Sequence, residues 1–154
     1  MQHEQSTDPM IAMDGNFRET RMPNWQQGVK NIEIVLQNLK QNYPKLQYDK
    51  LTLIGHSNGG DMANLYTQIH TKDVHTLITL DNRRMPLPRT LDTHVFSLRS
   101  NDYPADDGVL PTAQEAVIYP IIVQYTAINH GQMDDKATTE QRAYLCGKIL
   151  EYLK

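Results

Sequence analysis

A glycine-rich hexapeptide follows a short apolar run near the middle of the chain. The run is Leu51 to Ile54, and Gly55-His56-Ser57-Asn58-Gly59-Gly60 comes directly after it. Apolar residues return to helical spacing beyond this point, so we predict a strand, a sharp turn and a helix that begins near Asp61. Glycines two positions before and after a serine suit such a turn, because they remove side-chain clashes and leave the hydroxyl exposed. The segment therefore favours folds in which a buried strand leads directly into a helix, and it singles out Ser57.

The rest of the chain alternates between helical and extended patterns. Apolar residues at three- and four-residue steps predict one helix from about residue 23 to residue 42 and a closing helix from about residue 138 to residue 153. Short apolar runs predict three further strands, at Val74 to Leu80, His94 to Leu98 and Ile121 to Tyr125. Strands that are apolar throughout and separated by helices indicate a parallel sheet covered on both faces. The predicted fold class is α/β, with helices on both faces of a parallel sheet.

The beginning of the chain has a different character. Residues 1–9 are a polar lead, and Met10 to Met13 is a short apolar run that ends at a turn signal, so we predict another strand there. A length of 154 residues is usual for one domain. We therefore expect residues 10–154 to form a single domain.

Composition excludes several functional classes. The net charge is −3, from 15 basic and 18 acidic residues, and the basic residues are scattered, which argues against a nucleic-acid partner. The longest nearly apolar run, residues 117–128, is shorter than the roughly 20 residues that a membrane span needs. The N-terminus lacks the pattern of a signal peptide, so we expect a cytoplasmic protein. Its single cysteine, Cys146, can form no internal disulfide bond.

A serine hydroxyl is a weak nucleophile until a base removes its proton, and that base needs an acid to fix its tautomer. In a strand–serine–helix site the acid and then the histidine follow the serine along the chain. His130 satisfies this order, because it follows the last predicted strand and precedes the closing helix. His56 is adjacent to Ser57 but is expected to point away across the turn. The backbone amide of Asn58, at the start of a helix, is the predicted oxyanion donor.

The identity of the acid stays open among several aspartates. The loop after the third predicted strand contains three of them, Asp102, Asp106 and Asp107. We favour Asp107, which precedes Gly108-Val109-Leu110-Pro111, and place Asp102 second because it lies closest to the strand end. Asp81 ranks third, since a loop acid near two arginines is more often a plain surface ion pair.

Three segments resemble the α/β-hydrolase superfamily, and the resemblance extends over nearly the whole chain from Met10. Residues 53–60, Leu-Ile-Gly-His-Ser-Asn-Gly-Gly, resemble its nucleophile elbow; Asp107-Gly-Val-Leu-Pro is similar to the stretch after its penultimate strand; and Asn129-His130-Gly131 is similar to its histidine loop. The resemblance implies a catalytic triad of Ser57, His130 and Asp107 without metal or organic cofactor. It also implies a small-molecule acyl ester as substrate. Lipases, esterases, thioesterases and some peptidases share this frame, so the subclass does not follow.

The front of the chain departs from the superfamily pattern. Members usually carry three further strands and a loop, often containing His-Gly, that supplies a second oxyanion N–H. We therefore expect an N-terminally shortened fold with an open sheet edge near Met10 to Met13, and we hypothesise a homodimer formed through that edge. Two functions follow as hypotheses. The first is a serine hydrolase that cleaves a carboxylic ester or related acyl bond, and the alternative is a catalytically impaired hydrolase-like binding or assembly module.

Overall fold

Four parallel strands form one sheet in the computed structural model, which describes Ile11 and residues 13–154. In chain order the strands are β1 (Leu51–His56), β2 (Val74–Leu80), β3 (His94–Arg99) and β4 (Ile121–Tyr125). They are hydrogen-bonded in that same order, and every neighbouring pair is parallel. The predicted α/β class is confirmed, and the carboxyl ends of all four strands meet at one edge of the sheet.

In the described residues five α-helices connect and cover these strands: α1 (Phe17–Thr20), α2 (Met22–Asn42), α3 (Ser57–Ile69), α4 (Ala113–Ile118) and α5 (Thr139–Tyr152). A short 3-10 helix, His130–Gln132, lies between β4 and α5. Capping boxes start α4 and α5, where Thr112 and Thr138 each accept a hydrogen bond from the backbone N–H three residues later. The predicted bounds of α2 and α5 each lie within one residue of the observed bounds. The predicted start of α3 near Asp61 is wrong, because residues 57–60 already form its first turn.

Helices pack on both faces of the sheet, as the sequence predicts. Alternate residues along each strand point to opposite faces, so Leu77 and Val95 join the core under α2 and α3, while Leu80 and Leu98 pack against Leu145 of α5. A third buried cluster, Trp25, Met62 and Met85, joins α2, α3 and the segment after β2. This last cluster lies beside the start of α3 and therefore supports the site described below.

The predicted front strand is not observed in its described residues. Ile11 and Met13 belong to no strand, while Met10, Ala12 and the predicted polar lead, residues 1–9, lie outside the described residues. Within the described part of the chain the two edge strands of the sheet are β1 and β4. The predicted homodimer stays a prediction. The first strand along the described chain, β1, is one of the two open edges of the sheet.

Among the described residues, no helix combines the length and the apolar character that a membrane span requires.

Candidate active site

Ser57 occupies a strained turn between β1 and α3. Its φ is 52°, in the left-handed region that residues with a Cβ rarely adopt, whereas the preceding His56 is extended with φ −100° and ψ 139°. A non-glycine residue held in this conformation costs about 1–3 kcal/mol, which surrounding contacts must offset. The hydroxyl-bearing residue is thus placed at the carboxyl end of β1 and at the amino end of α3.

Two glycines allow this turn to close. A Cβ on Gly55 would lie 2.5 Å from the carbonyl oxygen of Gly59, and a Cβ on Gly60 would lie 2.9 Å from Cβ of Asn82. A Cβ on Gly59 would meet nothing within 4 Å. The sequence predicts this steric role for Gly55 and Gly59. The prediction for Gly59 is wrong, because the second crowded glycine is Gly60, which faces both β1 and the residue after Asp81.

The side chain of Asn58 is tied to α2. Trp25, fully buried, donates its indole N–H to Asn58 Oδ1 over 2.8 Å, and Asn58 Nδ2 donates to Asn24 Oδ1 over 2.9 Å. The backbone of Asn58 lies in the first turn of α3, where the helix dipole places partial positive charge. The backbone N–H of Asn58 therefore lies at the amino end of α3, and its role as the oxyanion donor remains a prediction.

The carboxylate at the ring of His130 belongs to Asp81. His130 Nδ1 lies 2.6 Å from Asp81 Oδ2, and the Asp81 side chain is 0% exposed. Ser100 donates to both carboxylate oxygens, through its backbone N–H to Oδ1 over 3.0 Å and through its hydroxyl to Oδ2 over 2.8 Å. Asp81 also has a positive φ, 53°, directly after β2. Asp81, which the sequence ranks third among the candidate acids, is thus the aspartate that contacts the imidazole.

The two higher-ranked aspartates lie elsewhere. Asp102 accepts the backbone N–H of His130 over 2.7 Å, so it holds the histidine loop and not the ring. Asp107 is exposed, and its backbone carbonyl accepts a hydrogen bond from Arg18. The prediction that Asp107 is the acid beside the ring is therefore wrong: the loop after β3 carries it toward α1, away from the imidazole.

The sequence ranks Asp81 third because two arginines lie nearby, but in the structure both arginines have other partners. Arg83 stacks over the ring of Tyr103, with Cζ 4.4 Å from its centroid, and Arg84 forms an ion pair with Asp106. Only the position of Asp81 immediately after an apolar strand could have marked it in the sequence, since parallel strands place such residues at the common edge.

His56 points toward His130, contrary to the prediction that it points away. Its Nε2 lies 3.1 Å from the backbone oxygen of His130, and the two ring centroids are 4.9 Å apart. Burial, followed by the nearby His130, lowers the pKa of His56 below its ordinary value. A neutral His56 with hydrogen on Nε2 can donate to the His130 carbonyl, so the residue before Ser57 is joined to the histidine loop.

Two clefts adjoin this edge of the sheet. One, of about 540 Å³, is lined by apolar side chains such as Ile32, Leu36 and Ile54, and its lining includes His56 and Gly59. The other, of about 370 Å³, lies beside the histidine loop and is lined by residues including Asp102, Tyr103 and Tyr125. Tyr103 also presents its ring at right angles to His130, with centroids 5.8 Å apart. Both clefts are open and reach residues adjoining the proposed catalytic groups.

Comparison with known proteins agrees with this architecture. No curated protein matches the chain. A family model described as "alpha/beta hydrolase of unknown function (DUF915)" matches residues 2–82, more than half of the 154 residues. The matched segment contains the turn at Ser57 and also Asp81, whereas His130 lies beyond it. The chain belongs to this family of α/β hydrolases of unknown function.

Proposed function

We propose that the protein is a serine hydrolase that cleaves a carboxylic ester or related acyl bond of a small molecule. The observation that carries the proposal is the contact of 2.6 Å between His130 Nδ1 and the buried Asp81 carboxylate, on a loop that also contacts His56. His56 directly precedes the strained Ser57. A histidine oriented by a buried acid, on a loop that contacts the residue before a half-buried serine on a strained turn, supports activation of the serine hydroxyl as a nucleophile.

The hydrogen bond to Asp81 determines which nitrogen of His130 is the base. A carboxylate accepts, so Nδ1 carries the hydrogen and Nε2 keeps its lone pair. In the proposed reaction, Ser57 Oγ attacks the substrate carbonyl and transfers its proton to Nε2. The imidazolium then gives this proton to the departing alkoxide, leaving an acyl-serine.

The second half of the reaction repeats these steps with water. His130 Nε2 takes a proton from the attacking water, and the proton returns to Ser57 Oγ as the acid product leaves. In both halves negative charge develops on the carbonyl oxygen, which the backbone N–H of Asn58 and the positive end of α3 would stabilise. One molecule of water is consumed for each ester cleaved, giving one acid and one alcohol.

The test is labelling with a fluorophosphonate probe, read by mass spectrometry, together with turnover of short p-nitrophenyl esters. We expect one label per chain at Ser57, and neither labelling nor turnover in Ser57→Ala with unchanged circular dichroism. Ser97→Ala is the control, because Ser97 is buried and bonded to Thr79 on the sheet, and it should label normally. A folded wild-type chain that neither labels nor turns over ester would overturn the proposal in favour of a binding or assembly module.

A further inference from the structure

Arg99 is a buried cation at the carboxyl end of β3, and stability alone does not account for it. The residue is 1% exposed and is the last residue of β3. Burying a guanidinium requires removing its hydration, and replacing a buried ion pair with apolar side chains is often neutral or stabilising. Its position beside the proposed catalytic groups therefore calls for an explanation in terms of the site.

The guanidinium contacts both consecutive residues that follow β2. Nη2 lies 2.9 Å from Asp81 Oδ1, as an ion pair without hydrogen-bond alignment, and Nη1 donates to the backbone oxygen of Asn82. Together with the two hydrogen bonds from Ser100 and the contact with His130, this gives the Asp81 carboxylate four contacts. Three of these contacts are hydrogen bonds and the fourth is an ion pair, and together they hold the carboxylate in one orientation.

We propose that Arg99 is a positioning residue for the His130 imidazole, acting through Asp81: it fixes the carboxylate so that Oδ2 faces Nδ1 and offsets part of its negative charge. The inference deepens the proposed function, because it concerns the group assigned there as the base. Without the guanidinium, Asp81 would hold a proton on the imidazole more tightly, and less His130 would be neutral at a given pH.

The charges around His130 make Arg99 the group to test. Asp81 faces the ring from β2, Asp102 faces the His130 backbone from the loop after β3, and His56 faces it from β1. Asp134 acts on the neighbouring His56 from the loop before α5. Burial lowers the pKa of the Arg99 guanidinium and Asp81 raises it, and an arginine remains charged at any working pH. Arg99 is therefore a permanent positive charge against the carboxylate that holds the ring.

The experiment is an NMR titration of the His130 ring in the full chain, with kcat/KM against pH measured in parallel. Arg99→Met removes the charge, and we expect the pH of half-protonation of His130 to rise by about one unit, because a positive charge that disfavours the imidazolium is lost. Arg99→Lys keeps a positive charge, so the midpoint should stay within about 0.3 units of wild type while kcat falls from poorer alignment. The acid limb of kcat/KM should move with the midpoint.

Arg89→Met is the matched control. Arg89 is also a largely buried arginine, but it bonds to the carbonyls of Leu87, Val109 and Leu110 and to Glu115. Its loss should lower stability and leave the His130 midpoint unchanged.

The inference fails if folded Arg99→Met shows an unshifted midpoint, or if Arg89→Met shifts it equally. Should Arg99→Met not fold, Arg99→Lys decides, because a midpoint that rises by half a unit or more despite the retained charge contradicts the proposal. The NMR readout does not depend on turnover. A shifted midpoint in a chain that cleaves no ester would thus sustain the link between Arg99 and His130 while overturning the proposed function.

Discussion

The two halves of the proposed site are built in different ways. The serine half is contiguous: β1, the turn at Ser57 and α3 occupy residues 51–69, and the turn closes through the approach of Gly55 to Gly59 and Gly60. The acid–histidine half is assembled from the ends of three strands, and Asp81 and His130 are 49 positions apart. The serine half is therefore specified by one short motif, whereas the acid–histidine half forms only when the strands pair and bring distant residues together.

The two halves are sensitive to different kinds of substitution. The serine half depends on the absence of side chains, because its constraint is close backbone approach. The acid–histidine half depends on buried charges and hydrogen bonds, and removing one partner of a buried hydrogen bond lowers the stability of the fold.

Replacing Asp81 with Asn should lower kcat for p-nitrophenyl esters by up to about 10⁴-fold, the size seen when a triad acid becomes an amide and the histidine adopts the wrong tautomer. Asp107→Asn should change kcat by less than about threefold, since Asp107 is exposed and contacts the site through no described side-chain bond. Steady-state kinetics with circular dichroism as the folding check decides the ranking. A larger loss from Asp107→Asn would return the acid role to the loop after β3.

Replacing Gly55 with Ala should destabilise the fold by about 3 kcal/mol, because the added Cβ would meet backbone atoms of Gly59 and Gly60, which cannot rotate away. Gly59→Ala is the matched change within the same motif. Its Cβ meets no atom within 4 Å, and alanine favours a helix over glycine by up to about 1 kcal/mol, so stability should hold or rise. Urea unfolding measures both. Equal losses would contradict the assignment of steric roles within the turn.

Replacing Trp25 with Phe tests whether the contiguous half needs support from α2. The change leaves Asn58 Oδ1 without its indole donor, which should cost about 1–3 kcal/mol of stability. We also expect kcat to fall more than KM rises, since the backbone of Asn58 would be less well held. Trp25 is the single tryptophan, so unfolding is followed by circular dichroism. Asn24→Ala, which removes only the partner of Asn58 Nδ2, should have a smaller effect on both measurements.

The smallest expected effect concerns His56, where the two halves meet. Burial lowers the pKa of His56 below its ordinary 6.5. The imidazole of His56 in the unfolded chain therefore takes up a proton near pH 6.5, whereas in the folded chain it does not. The stability associated with a neutral His56 is fully present above pH 6.5, and the free energy of unfolding decreases as the pH falls below that value.

His56→Gln, which keeps an N–H donor for the His130 carbonyl, should lessen the fall of Tm between pH 7 and pH 5. The exposed His94→Gln serves as the control, and its Tm should follow the wild-type curve. If the Tm of His56→Gln fell as much as that of the wild type between pH 7 and pH 5, protonation of His56 would not contribute to the pH dependence of stability.

Much of the fold could be predicted from the sequence because its signals are local. β2 and β4 have their predicted bounds, and β1 and β3 extend beyond theirs by two residues and one residue. Apolar runs and helical spacing report burial directly, and Pro, Gly and capping residues mark the ends. The start of α3 was predicted four residues late, because glycine and asparagine are weak helix formers and the turn at Ser57 is held by its neighbours.

Residue order predicts the parallel α/β architecture, the serine turn and the histidine loop after the last strand. The acid, the direction of His56 and the burial of Arg99 against Asp81 depend on the folded arrangement of the strands. The two groups of features differ in how far apart in the sequence their interacting residues lie. Periodicity and steric closure act between residues a few positions apart, whereas the partner of a carboxylate is fixed by which strand ends share an edge and which way each side chain turns there. The positive φ of Asp81 and the register of β2 with β3 make that choice, and neither is visible in residue order.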